Sequence, residues 1–291
     1  MSDELSGRTA LITGGTRGLG LEIARHFLRC GAAGVCVCGR DESAAEAASE
    51  ELRGVADGAQ EVFVEVADVS DPAAARTLVA TTLGRFPELT VLVNNAGIYG
   101  PKGPIEEVDW GEWARTIQTN LLGSVLPARE LAVHFKRRGY GKVIQLSGGG
   151  ATRPLPGLSA YAASKAAVVR FAETLAEELR PHHVDVNAMA PGALNTRMLD
   201  EVLSAGPGRV GQAYYEQALE QQRSGGVPLE RGAKLAAWLA SAASDGVTAK
   251  LLSAVWDPWE ELPEHLDDLA SDLYTLRRIV PRDRGLGWGG D

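Results

Sequence analysis

The sequence predicts an α/β protein, with a doubly wound parallel sheet in a single domain and a C-terminal extension. Three observations predict this fold. Short apolar segments rich in Val, Leu and Ile alternate along the chain with longer amphipathic stretches. These segments lack the strict polar–apolar alternation of a half-exposed strand, so they fit a sheet that is buried on both faces. The stretches between them are long enough for helical crossovers, which join parallel strands.

Each element follows from its local sequence. The predicted strands are short aliphatic and β-branched runs, in chain order Thr9–Ile12, Val35–Cys38, Val62–Val66, Val91–Val93, Lys142–Leu146, Val184–Ala188 and Leu251–Val255. The predicted helices are Leu19–Cys30, Glu42–Leu52, Pro72 to about Leu83, Trp110 to about Phe135, Ala160–Leu179 and Leu235–Ala242. Pro72 takes a first-turn position, where no N–H donor is needed, and Pro181 ends the helix before it.

No internal repeat or linker divides the chain, so one domain is expected over residues 1–291. Residues of about 193–228 form a predicted flap, which contains the short helical piece Gln212–Gln222. Tyr214-Tyr215 lie in this piece, where aromatic side chains either pack in a core or stack on a substrate. Residues of about 256–291 form the extension, and its tryptophans either pack against the sheet, rim a pocket or cover a subunit interface: Trp256, Trp259 and Trp288.

Composition and charge exclude several classes of protein. The chain has 291 residues, 45% of them hydrophobic and 23% charged, as in an ordinary globular protein. Its formal charge of −9 disfavours binding to nucleic acid. No apolar run approaches the roughly 20 residues that span a bilayer, so no membrane partner is expected. The acidic start, Met1–Leu5, lacks the layout of a secretory signal, which favours a cytoplasmic location.

The chain has three cysteines, Cys30, Cys36 and Cys38. An odd number in a chain without a predicted leader argues against a disulfide framework. Cys36 and Cys38 share one face of a predicted strand, and no further ligands that would complete a metal site are near them in the sequence. We therefore predict buried structural cysteines and no metal.

A glycine-rich turn, Thr13–Gly20, joins the first predicted strand to the first predicted helix. Glycines there allow a tight turn and a close approach of the backbone to a pyrophosphate, while the helix N-terminus supplies free N–H donors. A glycine cluster alone also occurs in ordinary turns. Its place inside a βαβ unit predicts a dinucleotide site, and with it a Rossmann fold.

The end of the second predicted strand favours NADP(H). A carboxylate at this point typically binds the ribose 2′-hydroxyl of NAD, but this strand ends in Cys38-Gly39-Arg40. Arg40, with Arg17 in the glycine turn, can hold a 2′-phosphate by charge-assisted hydrogen bonds. The alternatives are that both arginines are surface residues and that NAD(H) is used, since Asp41 and Glu42 follow directly.

Asp68-Val69 closes the third predicted strand, where the carboxylate can accept a hydrogen bond from the adenine amino group. The alternative role is a helix cap before Pro72, for which Ser70 or Asp71 serves equally well.

Tyr161 and Lys165 stand four residues apart on a predicted helix, so their side chains share one face. A free phenol has a pKa near 10, and a neighbouring ammonium stabilises the phenolate. Taken alone, such a pair usually consists of two surface residues without a catalytic role.

Five motifs together resemble the short-chain dehydrogenase/reductase family, over about residues 6–255. In order, they are Thr13–Gly20, Asn94-Asn95-Ala96-Gly97, Asn120, Tyr161-Ala162-Ala163-Ser164-Lys165 and Pro191-Gly192. The spacing Gly14-x-x-x-Gly18-x-Gly20 is similar to that of the shorter, single-domain branch.

The resemblance implies an oxidoreductase that moves a hydride between nicotinamide and a ketone or secondary alcohol of a small molecule, with Tyr161 as acid/base. Lys165 would bind the nicotinamide ribose and tune Tyr161, and Asn120 would hold a water behind Lys165. The implied catalytic set, with the serine discussed below, is Asn120, Ser147, Tyr161 and Lys165. The implied cofactor contacts are Gly14, Thr16, Arg17, Gly18, Leu19, Gly20, Arg40, Asp68, Val69, Asn94, Asn95, Ala96, Gly97, Tyr161, Lys165, Pro191, Gly192, Leu194 and Thr196.

The resemblance also implies a homodimer or homotetramer that associates through the helices containing Asn120 and Tyr161. Two rival functions stay open. One is a non-catalytic NADP-binding sensor, and the other is an epimerase-type enzyme that uses transient oxidation. The flap and the glycine-rich strand end suggest room for a bulky or ring-shaped polar ketone.

The sequence departs from the family where a serine normally binds the substrate oxygen, because Gly148 stands there. Ser147 is one residue earlier and would face the other side of a regular strand. Since three glycines follow it, the backbone is free to bring Ser147 round, and we predict Ser147 as the donor. The alternatives are Tyr161 alone, Thr152 and Ser159.

Overall fold

The computed structural model describes residues 3–288, so that the ends of the predicted domain, residues 1–2 and 289–291, lie outside it. The described chain forms one domain around a seven-stranded sheet in which every neighbouring pair is parallel. The strands are β1 Thr9–Thr13, β2 Gly34–Gly39, β3 Glu61–Val66, β4 Val91–Asn94, β5 Gly141–Leu146, β6 Val184–Ala190 and β7 Leu251–Ser253. Their order, β3-β2-β1-β4-β5-β6-β7, confirms the predicted doubly wound sheet.

The longer helices connect the strands. They are α1 Gly18–Arg29, α2 Glu42–Val55, α3 Pro72–Arg85, α4 Trp110–Ile117, α5 Gly123–Arg138, α6 Ser159–Leu179, α7 Arg197–Ala205, α8 Pro207–Val210, α9 Gln212–Ser224, α10 Leu229–Ala240 and α11 Leu266–Leu269. A π turn spans Gln118–Leu122, and short 3-10 turns cover Gly149–Ala151, Arg180–His182, Ala242–Ser244, Trp259–His265 and Pro281–Arg284.

The helices cover both faces of the sheet and enclose two hydrophobic cores. One core joins α1, α2 and α10 to side chains such as Ile12 and Val93. The other joins α3, α5 and α6 to their strand neighbours Leu11 and Leu92. Successive strand residues thus enter opposite cores, which is why these strands carry no polar alternation.

Three predicted elements differ from those observed. The single helix predicted from Trp110 to about Phe135 is split into α4 and α5 by the π turn. The helical piece predicted in the flap is one of three helices, α7 to α9, and the last helix begins at Leu229, earlier than predicted. Periodicity did not reveal the split, because apolar residues continue on both sides of the π turn.

The C-terminal extension covers the free edge of β7. Leu251 N donates to Tyr274 O at 2.7 Å, which pairs the extension with the strand. Lys250 Nζ donates to the carbonyl oxygens of Ser271 at 3.1 Å and Leu273 at 2.9 Å. These contacts cover part of the strand edge.

The tryptophans of the extension have different environments. Trp259 packs against Trp238 of α10, with ring centroids 5.5 Å apart. Trp256 is 84% exposed and lies on the rim of the cleft described below. Trp288 is also exposed.

As predicted, Cys30, Cys36 and Cys38 are buried, and burial raises the pKa of the Cys36 and Cys38 thiols to about 12. Residues 3–288 contain no cluster of three or more side chains suited to hold a metal ion. Over the same residues, no helix combines the length and apolar character needed to cross a membrane.

Candidate active site

A cleft of about 1580 Å³ runs across the carboxyl ends of the strands. It starts at the glycine turn after β1, passes the ends of β4 and β5, and ends beneath the flap. Open parallel sheets bind ligands at this edge, where the strand order reverses. Of the residues predicted for the site, three do not line the cleft: Gly20, Asn94 and Asn120.

The glycine turn opens the N-terminus of α1 toward the cleft. Gly14 and Gly18 have φ of +63° and +55°, values that are unfavourable for residues other than glycine. A Cβ on Gly20 would lie 2.4 Å from Asn95 Nδ2, whereas one on Gly18 would meet only a Thr196 methyl at 3.9 Å. Gly20 is thus needed for packing, and Gly18 leaves the cleft open.

The first turn of α1 also fits an anionic group. Its N-cap residue, Arg17, makes no side-chain capping bond in the described chain, and the turn contains no acidic residue. The first N–H groups of the helix therefore point unscreened at the cleft. This arrangement fits the pyrophosphate of a dinucleotide.

Asn94 and Asn95 brace the strands from which the cleft is built. Asn95 Nδ2 donates to the carbonyl oxygens of Thr13 at 3.0 Å and Gly14 at 2.9 Å. Asn94 is buried, and its Nδ2 donates to Ser124 O at 3.0 Å. Asn95 thus ties the end of β4 to the end of β1, whereas Asn94 faces the interior of the protein and not the cleft.

At the end of the cleft near β2 and β3, each predicted arginine stands near a carboxylate. Arg17 lies 3.6 Å from Asp41, and Arg40 lies 3.6 Å from Asp68. Both pairs are substantially exposed, so they are weak and exchangeable. Arg40 and Asp68 thus meet at the ends of β2 and β3, and their roles toward a cofactor stay predictions.

Asp68 does not cap a helix. Asp71 does so, because its side chain accepts from Ala74 N at 2.7 Å. Burial acts to raise the pKa of Asp68, but hydrogen bonds from Ser70 and the nearby Arg40 outweigh it and lower the pKa. The Asp68 carboxylate is therefore charged and faces the cleft.

Tyr161 and Lys165 lie on one buried face of α6, and both line the cleft. Lys165 Nζ donates to Leu146 O at 2.7 Å and stands 5.8 Å from the centre of the Tyr161 ring. Burial lowers the pKa of Lys165 to about 8 and raises the pKa of Tyr161 above its ordinary value. In the free protein, burial therefore outweighs the stabilisation of the phenolate that the sequence predicts.

Asn120 lies in the π turn between α4 and α5 and is fully buried. Its Oδ1 accepts from Ile98 N at 2.8 Å, and its Nδ2 donates to Ile98 O and Ser164 Oγ, both at 2.9 Å. The side chain thus ties the loop after β4 to α6, next to Tyr161. Its predicted role in holding a water stays a prediction.

Gly148 faces Tyr161 directly. A Cβ built on Gly148 would lie 2.6 Å from Tyr161 Oη, closer than real side-chain contacts. The phenol oxygen therefore stands where a side chain at position 148 would begin.

The backbone at Gly148 is fully extended, with φ −178° and ψ 174°, so the glycine run does not turn Ser147 round. Ser147 is 4% exposed, and its Oγ has no hydrogen-bond partner within residues 3–288. Among the alternative donors, Thr152 lines the cleft, whereas Ser159 Oγ accepts from Trp113 Nε1 at 3.1 Å.

Sequence reasoning missed Tyr99. Its ring meets the Tyr161 ring edge-on, with centroids 4.6 Å apart and planes at 68°. Lys102 Nζ stands 5.7 Å from the Tyr99 ring centre and forms an ion pair with Glu201 of α7 at 3.1 Å. The only available signal was its place in the loop after β4, at the ligand-binding edge of the sheet.

Comparisons with known proteins agree with this geometry. Residues 8–206 match the family described as short chain dehydrogenase. The chain is 35% identical to 3beta-hydroxysteroid dehydrogenase 1 of Eggerthella lenta, over 87% of this chain and 94% of that protein. It is 36% identical to L-fucose dehydrogenase of Oryctolagus cuniculus, over 82% and 81% of the two chains.

Among solved structures, the chain resembles a gluconate 5-dehydrogenase from Burkholderia cenocepacia in complex with NADP and tartrate. The TM-score is 0.74 at 29% identity, and the match covers 86% of this chain and 94% of that one. The family model, the relatives and the shared fold lead to one conclusion, and the predicted family is confirmed. The chain belongs to the short-chain dehydrogenase/reductase family of oxidoreductases.

Proposed function

We propose that the protein is an NADP(H)-dependent oxidoreductase that interconverts a ketone and a secondary alcohol of a small molecule, with Tyr161 as acid/base. One observation carries the proposal. The buried Tyr161–Lys165 pair of α6 lines the same cleft as the uncapped N-terminus of α1. A dinucleotide bound at α1 can therefore extend to a proton donor and acceptor.

The residues present fit such a cofactor along its whole length. The N–H groups at the start of α1, beside Gly18, would hold the pyrophosphate. Asp68 and Val69 would contact the adenine, and Lys165 the nicotinamide ribose. The loop after β6 would contact the carboxamide through Pro191, Gly192, Leu194 and Thr196. When bound, the cofactor supplies or accepts the hydride.

The preference for NADP(H) rests on Arg17 and Arg40. Their carboxylate partners are weakly held at 3.6 Å, so a 2′-phosphate can replace them as the partner of both guanidinium groups. The similar gluconate 5-dehydrogenase binds NADP, which supports the same choice here. NAD(H) remains the alternative cofactor, because Asp41 stands within reach of the same end of the cleft.

The proton chemistry belongs to side chains of α6. In reduction, Tyr161 Oη donates a proton to the substrate oxygen, and in oxidation it takes the proton back. Lys165, with its pKa lowered to about 8, holds an exchangeable proton near neutral pH and can resupply Tyr161. Asn120 would anchor the water behind Lys165. The predicted donor role of Ser147 is not part of this proposal, because the extended backbone at Gly148 directs the Ser147 hydroxyl to the opposite face of the strand.

A specific observation favours a second candidate, the non-catalytic sensor. Gly148 supplies no hydroxyl beside Tyr161, although the rest of the cleft fits the cofactor. The sensor predicts that the chain binds NADPH but turns over no ketone.

The deciding experiment measures NADPH and NADH oxidation with a panel of ketosteroids, keto-sugars and keto-sugar acids. We expect turnover of at least one ketone, with NADPH preferred. Tight binding of NADPH without turnover on the whole panel would instead support the sensor.

A further inference from the structure

At the end of β5, the residue that faces Tyr161 is Gly148, which has no hydroxyl group. The hydroxyl of Ser147 leaves the extended strand on the opposite face from Gly148. A carbonyl oxygen that receives a proton from Tyr161 has a second lone pair, which accepts a further hydrogen bond. The flap is the part of the molecule that faces this space from the other side.

One face of α9 in the flap lines the cleft. The lining residues follow helical spacing of three and four: Tyr214, Gln217, Ala218 and Gln221. Tyr214 and Tyr215 both pack against the small flap core around Leu199 and Val202, but Tyr215 does not line the cleft. The two adjacent phenols of α9 therefore have different environments, and only Tyr214 faces the active site.

Tyr214 lies close to both tyrosines at the centre of the site. Burial raises the pKa of Tyr99, and the neighbouring Tyr161 and Tyr214 phenols add to this effect. Burial is also the main cause that raises the pKa of Tyr161, and Tyr214 again contributes. Since Tyr99 packs edge-on against Tyr161, the three phenols form one cluster at the end of the cleft.

The flap is held in this position by polar contacts at two points. Gln221 Nε2 donates to Leu194 O at 3.0 Å, which ties the C-terminal half of α9 to the loop after β6. The ion pair of Lys102 with Glu201 ties α7 to the loop that carries Tyr99. Together they hold Tyr214 over the cleft. A hydrogen bond with the Tyr214 hydroxyl helps to raise the pKa of Tyr99, so Tyr99 keeps its proton and donates to the Tyr214 oxygen. The O–H of Tyr214 can still donate to a ligand.

We propose that Tyr214 is a catalytic residue: its hydroxyl donates a hydrogen bond to the substrate oxygen from the flap side, where Gly148 supplies no side chain. The inference rests on the proposed ketone reduction. Tyr214 keeps its proton throughout, because Tyr161 alone transfers one. The flap therefore completes the active site as well as covering it.

The test compares Tyr214→Phe with Tyr215→Phe, which removes the same atom from the same helix outside the cleft. With a ketone that the wild type reduces, we expect Tyr214→Phe to lower kcat by about 100-fold, the usual loss when one such donor is removed. KM should change less than kcat, NADPH binding measured by fluorescence should be unchanged, and Tyr215→Phe should match the wild type.

Three results would overturn the inference. The first is a Tyr214→Phe enzyme with wild-type kcat, and the second is an equal loss in Tyr215→Phe, which would indicate a general effect on the flap. The third is a loss in Ser147→Ala without one in Tyr214→Phe, which would assign the donor to β5. All three results require a wild-type protein that reduces a ketone, so they overturn the role of Tyr214 alone. A wild-type protein that reduces no ketone would instead overturn the proposed function.

Discussion

At the scale of single residues, the Tyr161 hydroxyl lies so close to Gly148 that it leaves no room for a side chain there. The phenol oxygen lies 2.6 Å from the point where a Cβ at position 148 would stand. Van der Waals repulsion excludes both atoms from that space, so the position of Tyr161 depends on the absence of a side chain at position 148. The motif positions gave no indication of this dependence, since they record only that a serine is missing.

Replacing Gly148 by alanine should therefore displace the Tyr161 hydroxyl. We expect Gly148→Ala to lower kcat about tenfold or more, because misplacing a reacting group by about 1 Å is costly. The matched control is Gly149→Ala, whose added Cβ would lie 3.5 Å from Arg153 Nε, an ordinary contact. Steady-state kinetics of both variants make the test, and equal rates in the two would show that the close contact has no effect on catalysis.

The lowered pKa of Lys165 also predicts how stability depends on pH. The folded pKa of about 8 lies below the ordinary value of 10.5, so burying the protonated amine costs folding free energy at neutral pH. This cost is complete below pH 8 and fades as the pH rises toward 10.5. The free energy of unfolding of Lys165→Met should therefore exceed that of the wild type by the largest amount near pH 7.

The advantage of Lys165→Met should shrink by on the order of 2 kcal/mol between pH 7 and pH 10. Urea unfolding of both proteins without cofactor measures the difference, and Tyr161, present in both, cancels from it. A difference that stays constant over this range would contradict the lowered pKa.

At the scale of elements, the sequence predicted where the strands lie better than how the chain crosses between them. Strands such as β1 and β4 are buried on both faces, so their composition marks them clearly. The π turn around Asn120 has no such mark, because it changes the hydrogen-bond register and not the residue types. In the flap, the sequence predicted α9 but not α7 or α8, which are short and pack mainly against the small flap core.

The extension over β7 is an element whose position no motif predicted. Lys250 anchors it through the carbonyl oxygens of Ser271 and Leu273. Lys250→Met removes both bonds, so we expect a loss of about 2 kcal/mol in the free energy of unfolding. Hydrogen exchange near residue 274 should also become faster.

The control for that variant is Lys234→Met on the surface of α10. Among residues 3–288, Lys234 forms an ion pair with Glu230 of the same helix alone, at 3.0 Å and largely in solvent, so its loss should change stability little. Equal effects of the two substitutions on unfolding would show that Lys250 does not anchor the extension.

At the scale of the whole molecule, helices α4 and α5 present apolar side chains to solvent. Trp110 is 72% exposed and stacks on Trp113, with centroids 5.3 Å apart, and Val133 is 54% exposed. Exposed apolar groups on neighbouring helices favour association. They fit the homodimer or homotetramer that the family resemblance implies, formed through the helices that contain Asn120 and Tyr161. This assembly stays a prediction.

Light scattering after gel filtration tests this assembly. We expect the wild type to have at least twice the mass of one chain, and Val133→Glu to lower that mass by placing a charge in the interface. Ile279→Glu, at a similarly exposed position in the extension, should leave the mass unchanged. A wild-type protein with the mass of one chain would contradict the proposed association.

The complete molecule also explains why the sequence could identify the family but not the substrate. The glycine turn, Asn95 and the Tyr161–Lys165 pair are fixed by the shared cofactor geometry, so their spacing is visible in the sequence. The end of the cleft beneath the flap, where we propose that the substrate binds, is lined by the flap, Tyr99 and the exposed Trp256, which come from distant parts of the chain. Only folding brings these residues together.

In the proposed reaction, Tyr161 gives a proton to an oxygen as the neighbouring carbon gains a hydride. Its most direct test follows the transfer of deuterium from the nicotinamide C4 of labelled NADPH to the product alcohol. Wild type and Tyr140→Phe, a phenol removed far from the cleft, should form the labelled alcohol, whereas Tyr161→Phe should bind NADPH normally and form it at least about 100-fold more slowly. Labelled product formed by Tyr161→Phe at the wild-type rate would contradict the account.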